Sequence, residues 1–356
     1  MNIAIDCRLI GSSGIGTFIE NVIPHIVADK RCGFLLIGDR NKLEQYAGRD
    51  HCRALHCTLR SFSMKELLAF PVAEVNRCDA FFTPNFNIPF GIRVPVYATI
   101  HDIVFFDTEG FGSALKRSVL KWYIKWALRI SKRLFTVSCF SKERVQSYFH
   151  TSKDIRVVHN GISQELIDYE KTMPQYGRHG VIFIGNIKKH KGLDTLLDAY
   201  ERLKKEGIRL DLTIIGRFNF RTRDDAMIER LDKLRQEINI VSDASNQEVY
   251  HILSQAELLV SPSLYEGFGI PPLEAMYLGA NVIISDIPAY QEVYHDLPVT
   301  FFKAGNIEDL CRKIKNFCYY PHDVKTDIMA RYSYERTAKA ILSTMYQDFT
   351  ETKTLR

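Results

Sequence analysis

The chain has 356 residues, a length that fits two domains of ordinary size better than one compact core. Hydrophobic residues make up 46% and charged residues 25%, which excludes a disordered, collagen-like or coiled-coil protein. The formal net charge of +5 is compatible with anionic substrates or an anionic membrane surface. Because no zinc-finger or RNP-type motif accompanies that charge, we expect no nucleic-acid partner.

The sequence also indicates in which cellular compartment the protein is expected. It contains no apolar run of about 18 residues, so we expect no membrane-spanning helix. Asp6 stands where a signal peptide would be apolar, and nothing predicts export. The eight cysteines are scattered and form no CxxC pair, which is typical of a reduced chain. We therefore expect a cytoplasmic protein, with the inner face of a membrane as a further location.

Short β-rich runs alternate with helical periods, and this alternation occurs twice along the chain. Many of the runs are nearly continuous in apolar and β-branched residues, as in parallel strands covered on both faces. The predicted strands are Ile3–Cys7, Gly33–Ile37, Ala80–Phe82, Val96–Ile100, Arg133–Val137, Ile155–Val158, Val181–Ile184, Leu210–Ile215, Glu257–Val260, Asn281–Ser285 and Val299–Phe302. The pattern predicts an α/β chain with two doubly wound, Rossmann-like sheets.

A polar stretch, Tyr169–His179, separates the two halves and contains Pro174 and Gly177, which is typical of a linker. The sequence near the end, Tyr332–Phe349, has apolar residues at helical spacing. These features predict an N-terminal domain of residues 1–170, a C-terminal domain of residues 178–330 and a final helical segment of residues 331–356.

The first predicted strand leads into a glycine-rich turn and a helix, with Gly14 and Gly16 in the turn. Such a turn lets the backbone approach a ligand, and the helix start offers N–H groups to a phosphate. A Walker A loop would need Lys where Thr17 stands, and a GxGxxG fingerprint would need Gly or Ala in place of Ile19. Both motifs are excluded, and a tight strand-to-helix turn without a ligand remains an alternative.

A second polar loop follows the first strand of the C-terminal half. It begins with Gly185 and Asn186 and continues with Lys188, Lys189 and Lys191 before a helix. Cations at the carboxyl end of a strand lie where open α/β sheets bind ligands, and a lysine is well suited to neutralise a phosphate. A solvated lysine-rich loop remains the alternative.

The most informative stretch is Glu266-Gly267-Phe268-Gly269-Ile270-Pro271-Pro272-Leu273-Glu274. The two glycines permit an irregular loop with exposed N–H groups, and the prolines suit the first turn of a helix. Glu266 lies in the loop, and Glu274 lies one turn inside the helix. Since carboxylates accept pairs of hydroxyl hydrogen bonds, the arrangement fits a polyhydroxylated ligand with phosphates.

With this stretch the chain resembles the retaining glycosyltransferases of family GT4, which carry an EX7E motif and have the GT-B fold. Other segments resemble the family in the same order along the chain: Gly14-Ile-Gly16, His101-Asp102, Val137-Ser138, His159-Asn160-Gly161-Ile162, Gly185-Asn186 with His190-Lys191-Gly192, and Ser285-Asp286-Ile-Pro288 with Glu292-Val293. The resemblance implies two Rossmann-like domains facing a central cleft, with the C-terminal helix crossing back to the N-terminal domain.

The resemblance also implies roles for the motif residues. Glu274 would bind the ribose hydroxyls of a nucleotide-diphosphate sugar. Glu266, with the Gly267–Ile270 backbone, would bind the donor sugar and its phosphate. Lys191 would neutralise the diphosphate, Gly14 and Gly16 would face it from the N-terminal domain, and His101 would lie beside the transferred sugar. Catalysis would depend on His101, Glu266 and Lys191.

One position departs from the family pattern, because many members have Arg where this chain has Asn186. Lys191, helped by Lys188 or Lys189, would then have to neutralise more of the diphosphate charge. The implied reaction is transfer of a hexose with retention at the anomeric carbon, in the synthesis of a surface polysaccharide. The acceptor would be a glycan or a lipid-linked oligosaccharide. GDP-mannose is the first expectation for the donor, followed by a UDP-sugar. The chain has no Asp-x-Asp, and we expect neither a metal nor another cofactor.

Several alternatives compete with these assignments. His51-Cys52 and His56-Cys57 match no standard zinc spacing, and Cys139 is better explained as part of a helix start than as a nucleophile. Residues 113–133 form a basic amphipathic helix with two tryptophans, which is compatible with an anionic membrane surface or with packing on the sheet. An NAD-dependent oxidoreductase would share the strand pattern but lacks the complete fingerprint. A catalytically silent nucleotide-sugar-binding protein would keep the same site.

Overall fold

The computed structural model describes residues 1–108, 113–174, 177–216 and 225–354. The chain forms two compact domains. The N-terminal domain comprises Met1–Asn160 and the segment that begins at Ser333, and the C-terminal domain is Gly161–Tyr332.

The N-terminal domain is built on a seven-stranded parallel sheet. Its strands are β1 (Asn2–Asp6), β2 (Gly33–Gly38), β3 (Cys52–His56), β4 (Ala80–Thr83), β5 (Val96–Thr99), β6 (Ser131–Thr136) and β7 (Ile155–Val157). They are arranged in the order β3-β2-β1-β4-β5-β6-β7. The helices are α1 (Ser13–Ile26), α2 (Arg40–Ala47), α3 (Met64–Ala69), α4 (Val72–Val75), α5 (Val104–Asp107), α6 (Ala114–Ile130) and α7 (Cys139–Phe149). Apolar clusters cover both faces of the sheet, which explains the continuous apolar strands.

The C-terminal domain repeats this plan with six parallel strands. In chain order its elements are α8 (Gln164–Thr172), β8 (His179–Ile184), α9 (Leu193–Lys205), β9 (Leu212–Gly216), α10 (Asp225–Leu234), β10 (Asn239–Ser242), α11 (Asn246–Gln255), β11 (Ala256–Ser261), α12 (Ile270–Tyr277), β12 (Asn281–Ser285), α13 (Pro288–Tyr294), β13 (Thr300–Phe302), α14 (Ile307–Lys315) and α15 (Lys325–Arg331). The strand order is β10-β9-β8-β11-β12-β13. The predicted pair of doubly wound sheets is confirmed.

The last helix, α16 (Tyr334–Thr354), belongs to the N-terminal domain. Its apolar residues Ala338, Ile341 and Met345 join the same core cluster as Phe18 and Val22 of α1. The buried Asp348 accepts hydrogen bonds from the Tyr97 hydroxyl at 3.1 Å and the Arg133 guanidinium at 2.9 Å. The predicted return of the final helix to the N-terminal domain is therefore confirmed.

The domain boundary lies earlier than residue 170, where the sequence placed it. Helix α8 packs on α11, with the Ser163 and Tyr250 hydroxyls 3.0 Å apart. The Asn246 side chain also donates to the Glu165 carboxylate at 2.8 Å. These contacts assign residues from Gly161 onward to the C-terminal domain. Residues 175 and 176 of the predicted linker lie outside the described residues.

Two strands, β3 and β10, were missing from the prediction. Both are edge strands, and several of their side chains are exposed or half-buried. Such strands lack the long apolar run that marks a central strand. His51 and Cys52, tested above as zinc ligands, lie at the start of β3, where the His51 ring is 2.8 Å from the Val27 carbonyl oxygen. The prediction that Cys139 belongs to a helix start is confirmed, because α7 begins there and the Ser138 hydroxyl before it accepts from the Ser141 N–H at 3.0 Å.

Candidate functional site

The candidate site lies at the switch point of the C-terminal sheet. The adjacent strands β8 and β11 are parallel, and their connections lead to opposite sides of the strand order. Open α/β sheets bind ligands beyond the carboxyl ends of the strands at such a point. The two loops that leave this edge contain Asn186 and Lys191 after β8, and Glu266 after β11. The sheet thus brings together residues that are distant in the sequence.

The β8–α9 loop is fixed against the β11–α12 loop. The Leu264 N–H donates to the His190 carbonyl oxygen at 2.7 Å, and the Tyr265 N–H donates to it at 3.3 Å. Gly192 has a φ of +68°, and a Cβ there would lie 1.9 Å from the Pro262 carbonyl oxygen. A side chain at this position would therefore separate the two loops. Lys191 is held in place by this close approach, because it directly precedes Gly192.

Lys191 and Glu266 form an ion pair across these loops. The Lys191 Nζ lies 2.7 Å from Glu266 Oε1 and 2.9 Å from Oε2. The side chains keep 22% and 11% of their exposure, so the pair is accessible but poorly solvated. The Ser263 hydroxyl donates to Oε1 at 2.7 Å, and the Tyr290 hydroxyl lies 3.4 Å from the same oxygen. The carboxylate orientation is thus set by three neighbours.

The loop around Gly269 closes on two buried tyrosines. Gly269 has a φ of +84°, and a Cβ there would lie 2.2 Å from the Tyr290 ring. The Tyr294 hydroxyl donates to the Gly269 carbonyl oxygen, and the Tyr290 hydroxyl is 2.7 Å from the Ser261 hydroxyl. Helix α12 begins at Ile270, so its N-terminus points its dipole at this loop. The predicted phosphate-binding segment Gly267–Ile270 therefore has a fixed backbone.

Glu274 lies one turn inside α12 in a poorly solvated environment. Burial, with a smaller contribution from the nearby Glu165 carboxylate, raises the pKa of Glu274 to about 7. Within the described parts of the chain, no hydrogen-bond donor reaches the Glu274 carboxylate. A half-buried carboxylate without a donor can accept hydroxyl hydrogen bonds from a ligand.

His190 and Asn186 complete the loop. Burial, followed by the charge of Lys191, lowers the pKa of His190 to about 4, so this ring is neutral near pH 7. Asn186 is exposed and its amide carries no charge, which leaves Lys191 as the half-buried cation that pairs with Glu266. Lys189 is exposed. The expectation that Lys191 neutralises most of a diphosphate's charge stays a prediction.

The N-terminal domain holds the other predicted residues. Gly14 and Gly16 lie in the first turn of α1, and a Cβ on Gly16 would lie 2.5 Å from the Leu9 carbonyl oxygen. Close packing against its own loop is therefore sufficient to require Gly16. Gly14 is exposed and has open space at its Cβ position. The assigned contact of these glycines with a diphosphate stays a prediction.

His101 follows β5 at the carboxyl edge of the N-terminal sheet. Its Nε2 lies 3.0 Å from the Pro84 carbonyl oxygen, and its ring packs edge-on against Phe18 with centroids 5.0 Å apart. Because a carbonyl oxygen only accepts, Nε2 carries the proton and Nδ1 is an acceptor. Burial lowers the pKa of His101 to about 4, so the ring is neutral near pH 7.

Ser263 and Tyr290 are functional candidates that the sequence analysis missed. Ser263 follows β11 by two residues, and Tyr290 lies inside the Pro288–Glu292 segment that had been matched as a motif. A serine near a strand end and a tyrosine in a helix are common, so the sequence carried no signal of their contact with Glu266. Only the position of Tyr290 inside a matched motif could have indicated it.

In the described ranges, no three His, Cys, Asp or Glu side chains are grouped as a metal site would need. None of the helices in those ranges combines the length and hydropathy that a bilayer crossing requires.

Two family models match the chain. Residues 170–334 match "Glycosyl transferases group 1", and residues 73–166 match "Glycosyltransferase Family 4". The chain is 25% identical over 247 residues to the O-antigen chain mannosyltransferase RfbU of Salmonella typhimurium. The aligned region covers 68% of this chain and 67% of that protein. The chain is 27% identical over 227 residues to O-antigen chain mannosyltransferase B of Escherichia coli, which covers 60% of this chain and 58% of that protein.

Two solved structures share the fold. Sucrose-phosphate synthase from Thermosynechococcus elongatus superimposes with a TM-score of 0.72 at 16% identity, covering 99% of this chain and 100% of that chain. HepE from Anabaena, solved in complex with UDP and glucose, has a TM-score of 0.72 at 17% identity, covering 97% of this chain and 99% of that chain. With its two doubly wound sheets and the matches to both family models, this chain belongs to glycosyltransferase family 4 and has the GT-B fold.

Proposed function

We propose that this glycosyltransferase moves a hexose from a nucleotide-diphosphate sugar to a glycan or lipid-linked acceptor, with retention at the anomeric carbon. The likeness to two O-antigen mannosyltransferases supports surface polysaccharide synthesis as its role and mannose as the sugar. The complex of HepE with UDP and glucose supports a nucleotide sugar as the donor. GDP-mannose is the first donor to test, and a UDP-sugar is the second.

The observation that carries the proposal is the ion pair of Lys191 and Glu266 at the switch point. A donor's diphosphate is anionic, and the Lys191 ammonium is a compact charge that can neutralise it. Glu266 Oε2 receives a hydrogen bond from Lys191 alone among the described residues, whereas Oε1 also receives one from Ser263. Oε2 therefore keeps capacity for a hydroxyl of the donor sugar.

Glu274 supports the assignment of the nucleotide side. Its carboxylate lies in a poorly solvated position with a pKa of about 7. Two vicinal ribose hydroxyls would supply the donors that the carboxylate lacks, and would favour its ionised form. In this proposal Glu274 binds the ribose, and Glu266 binds the sugar.

The proposed reaction needs stabilisation of a leaving group. The acceptor oxygen forms a bond to the anomeric carbon, the bond from that carbon to the phosphate oxygen breaks, and the acceptor proton passes to the leaving phosphate. Negative charge grows on the diphosphate, where Lys191 and the N-terminus of α12 stabilise it. The Nδ1 atom of the neutral His101 ring can accept a hydrogen bond from a hydroxyl of the donor sugar. The proposal assigns no step to a metal.

The test is a donor screen on purified protein. We expect GDP-mannose to raise the melting temperature more than UDP-glucose or GDP alone, because a ligand of the folded state stabilises it. Mass spectrometry and NMR of the product, with an α-mannoside-terminated oligosaccharide as acceptor, should then show an α-linkage. Tight donor binding with neither hydrolysis nor transfer would favour a silent nucleotide-sugar-binding protein. A β-linked product would disprove retention.

A further inference from the structure

The large exposed apolar side chains are concentrated on one face of the N-terminal domain. Ten are exposed in the described parts of the chain, and seven of them belong to three short segments of this domain. These seven are Phe62, Met64, Leu68, Phe90, Leu115, Val119 and Trp122. We call this group the α6 surface, after the helix that contributes most to it. Clustered exposed apolar residues mark an interaction site, whereas scattered ones do not.

Contacts between the three segments show that the α6 surface is continuous. The Phe90 ring packs edge-on against Trp122, with centroids 5.9 Å apart, and against Trp126 at 5.4 Å. The Phe62 ring packs against Tyr123 of α6 at 5.2 Å. The Phe90 N–H donates to the Leu67 carbonyl oxygen at 3.2 Å, which fixes this residue beside α3.

Helix α6 carries a row of apolar side chains that does not pack into the protein core. Tyr123, Ile124 and Ala127 are its buried residues and face the sheet. Leu115, Val119 and Trp122 are spaced by four and three residues, so they form a separate row on the same helix. Leu115 is 75% exposed, and on α3 Leu68 is also 75% exposed and Met64 71%. Side chains this exposed gain little from the fold itself.

The α6 surface is flanked by cations. Residues 113–133 contain seven Lys and Arg residues and no Asp or Glu. Arg117, Lys125 and Arg129 make no ion pair within the described ranges. The Lys121 ammonium lies 5.2 Å from the centroid of the Tyr148 ring. Lys125 and Arg129 are four residues apart, so they line one side of the helix next to the apolar row.

We propose that the α6 surface docks on an anionic lipid bilayer. Apolar and aromatic side chains can enter the boundary between head groups and acyl chains, and the row of cations beside them can face the lipid phosphates. Each Lys or Arg near an anionic surface contributes about 1 kcal/mol, or roughly fivefold in binding. The positive charge on this helix therefore favours an anionic bilayer over an uncharged partner. The proposal does not depend on which donor the enzyme uses.

The experiment is co-sedimentation of the full chain with vesicles. We expect binding to vesicles of phosphatidylglycerol and phosphatidylcholine, with much weaker binding to phosphatidylcholine alone. Raising the salt concentration should release the protein, because screening shortens the reach of the surface potential. Absence of salt-sensitive binding to the anionic vesicles would overturn the proposal.

Variants assign the binding to this surface. Lys125→Glu/Arg129→Glu should lower the partition coefficient at least about tenfold, and Leu68→Glu/Leu115→Glu should lower it by a similar factor. Lys30→Glu/Lys205→Glu is the matched control, because it changes the net charge equally at two exposed residues outside the α6 surface. Melting temperatures and donor hydrolysis check that every variant is folded.

Two results would contradict the assignment. Equal losses in Lys125→Glu/Arg129→Glu and in the control would show that net charge alone drives binding. Concentration-dependent self-association that Leu68→Glu/Leu115→Glu abolishes, together with no vesicle binding, would show that a second copy of the chain covers the surface. Analytical ultracentrifugation of the wild type and the variant separates that outcome from membrane docking.

Discussion

Lys191 and Glu266 lie 75 residues apart in the sequence, and their side chains form an ion pair with Nζ–Oε distances of 2.7 and 2.9 Å. The pair joins the two loops that leave adjacent strands of the C-terminal sheet. Because the two side chains keep each other oriented, the ammonium group needs little reorganisation when an anion arrives.

Removing the Lys191 ammonium should lower the catalytic efficiency with the donor. Lys191→Ala is expected to lower kcat/KM for the donor by about 100-fold, because the leaving diphosphate would lose the cation that the proposed function assigns to it. Steady-state kinetics with the donor that the screen identifies measures this. Lys189→Ala is the control, since Lys189 is exposed in the same turn. Similar losses in both variants would show that the charge of the loop matters and not the position of Lys191.

Donor binding should depend on the ionisation of Glu274. Its pKa of about 7 means that the carboxylate becomes charged as the pH rises through neutrality. We therefore expect donor affinity to rise between pH 6 and 8 in the wild type and to stay flat in Glu274→Gln. The affinity is measured by calorimetry with a nucleotide sugar. A free nucleoside diphosphate is unsuitable as the ligand, because its terminal phosphate titrates near the same pH. An unchanged pH profile in Glu274→Gln would contradict the ribose assignment.

The same ionisation should affect stability in the opposite direction. A folded-state pKa raised from 4.5 to about 7 means that the folded protein holds its proton more strongly. The contribution of Glu274 to the free energy of unfolding is then fully present below pH 4.5 and is lost as the pH rises through 7. Glu274→Gln should remove this loss and gain roughly 1–3 kcal/mol at pH 8 in urea unfolding. Glu165→Gln should shift the wild-type transition to lower pH, because Glu165 contributes to the raised pKa.

Gly192 should tolerate no side chain. Gly192→Ala adds a Cβ that meets the Pro262 carbonyl oxygen, and it strains a backbone with positive φ. Gly207→Ala is a matched control, because Gly207 has a φ of +84° and nothing within 4 Å of its Cβ position. We expect the control to cost about 1–2 kcal/mol from strain alone, and Gly192→Ala to cost roughly 1–3 kcal/mol more. Equal melting temperatures for the two variants would mean that the loops can separate freely.

His101 should act as a neutral group. We expect His101→Ala to reduce turnover by about tenfold to 100-fold through the loss of one polar contact. Because burial places the pKa of His101 near 4, the pH–rate profiles of wild type and variant should have the same shape above pH 5.5. A variant that loses an ionisation between pH 6 and 8 would show that this histidine is charged during turnover.

Most of the fold could be predicted from the sequence because the central strands are buried on both faces. Asn281–Ser285, for example, is buried along its whole length and was predicted with its observed bounds. The edge strands β3 and β10 could not be found, since their polar and exposed residues break the apolar run. The boundary near Gly161 was also missed, because α8 is polar in sequence yet packs through the Ser163–Tyr250 contact.

The candidate site was predictable only in part. Lys191, Glu266 and Glu274 stand out because charged residues cluster beside glycines at the ends of strands. The contacts of Ser263 and Tyr290 with Glu266 depend on the meeting of β11 and α13, which no local pattern encodes. Gly16 shows the reverse case. The family resemblance implied that it faces a diphosphate, whereas its close approach to Leu9 accounts for a glycine here without a ligand, as in the tight turn that the sequence left open.

The position of α16 has a consequence for how the protein is made. The core of the N-terminal domain includes Ile341 and Met345, so it stays incomplete until the ribosome has passed through all of Gly161–Tyr332. At about 5–20 residues per second, that delay lasts roughly ten to thirty seconds. Throughout it, Phe18 and Val22 of α1 lack their final covering while the C-terminal domain is still being synthesised. The nascent chain therefore has a long interval in which a chaperone can bind its first half.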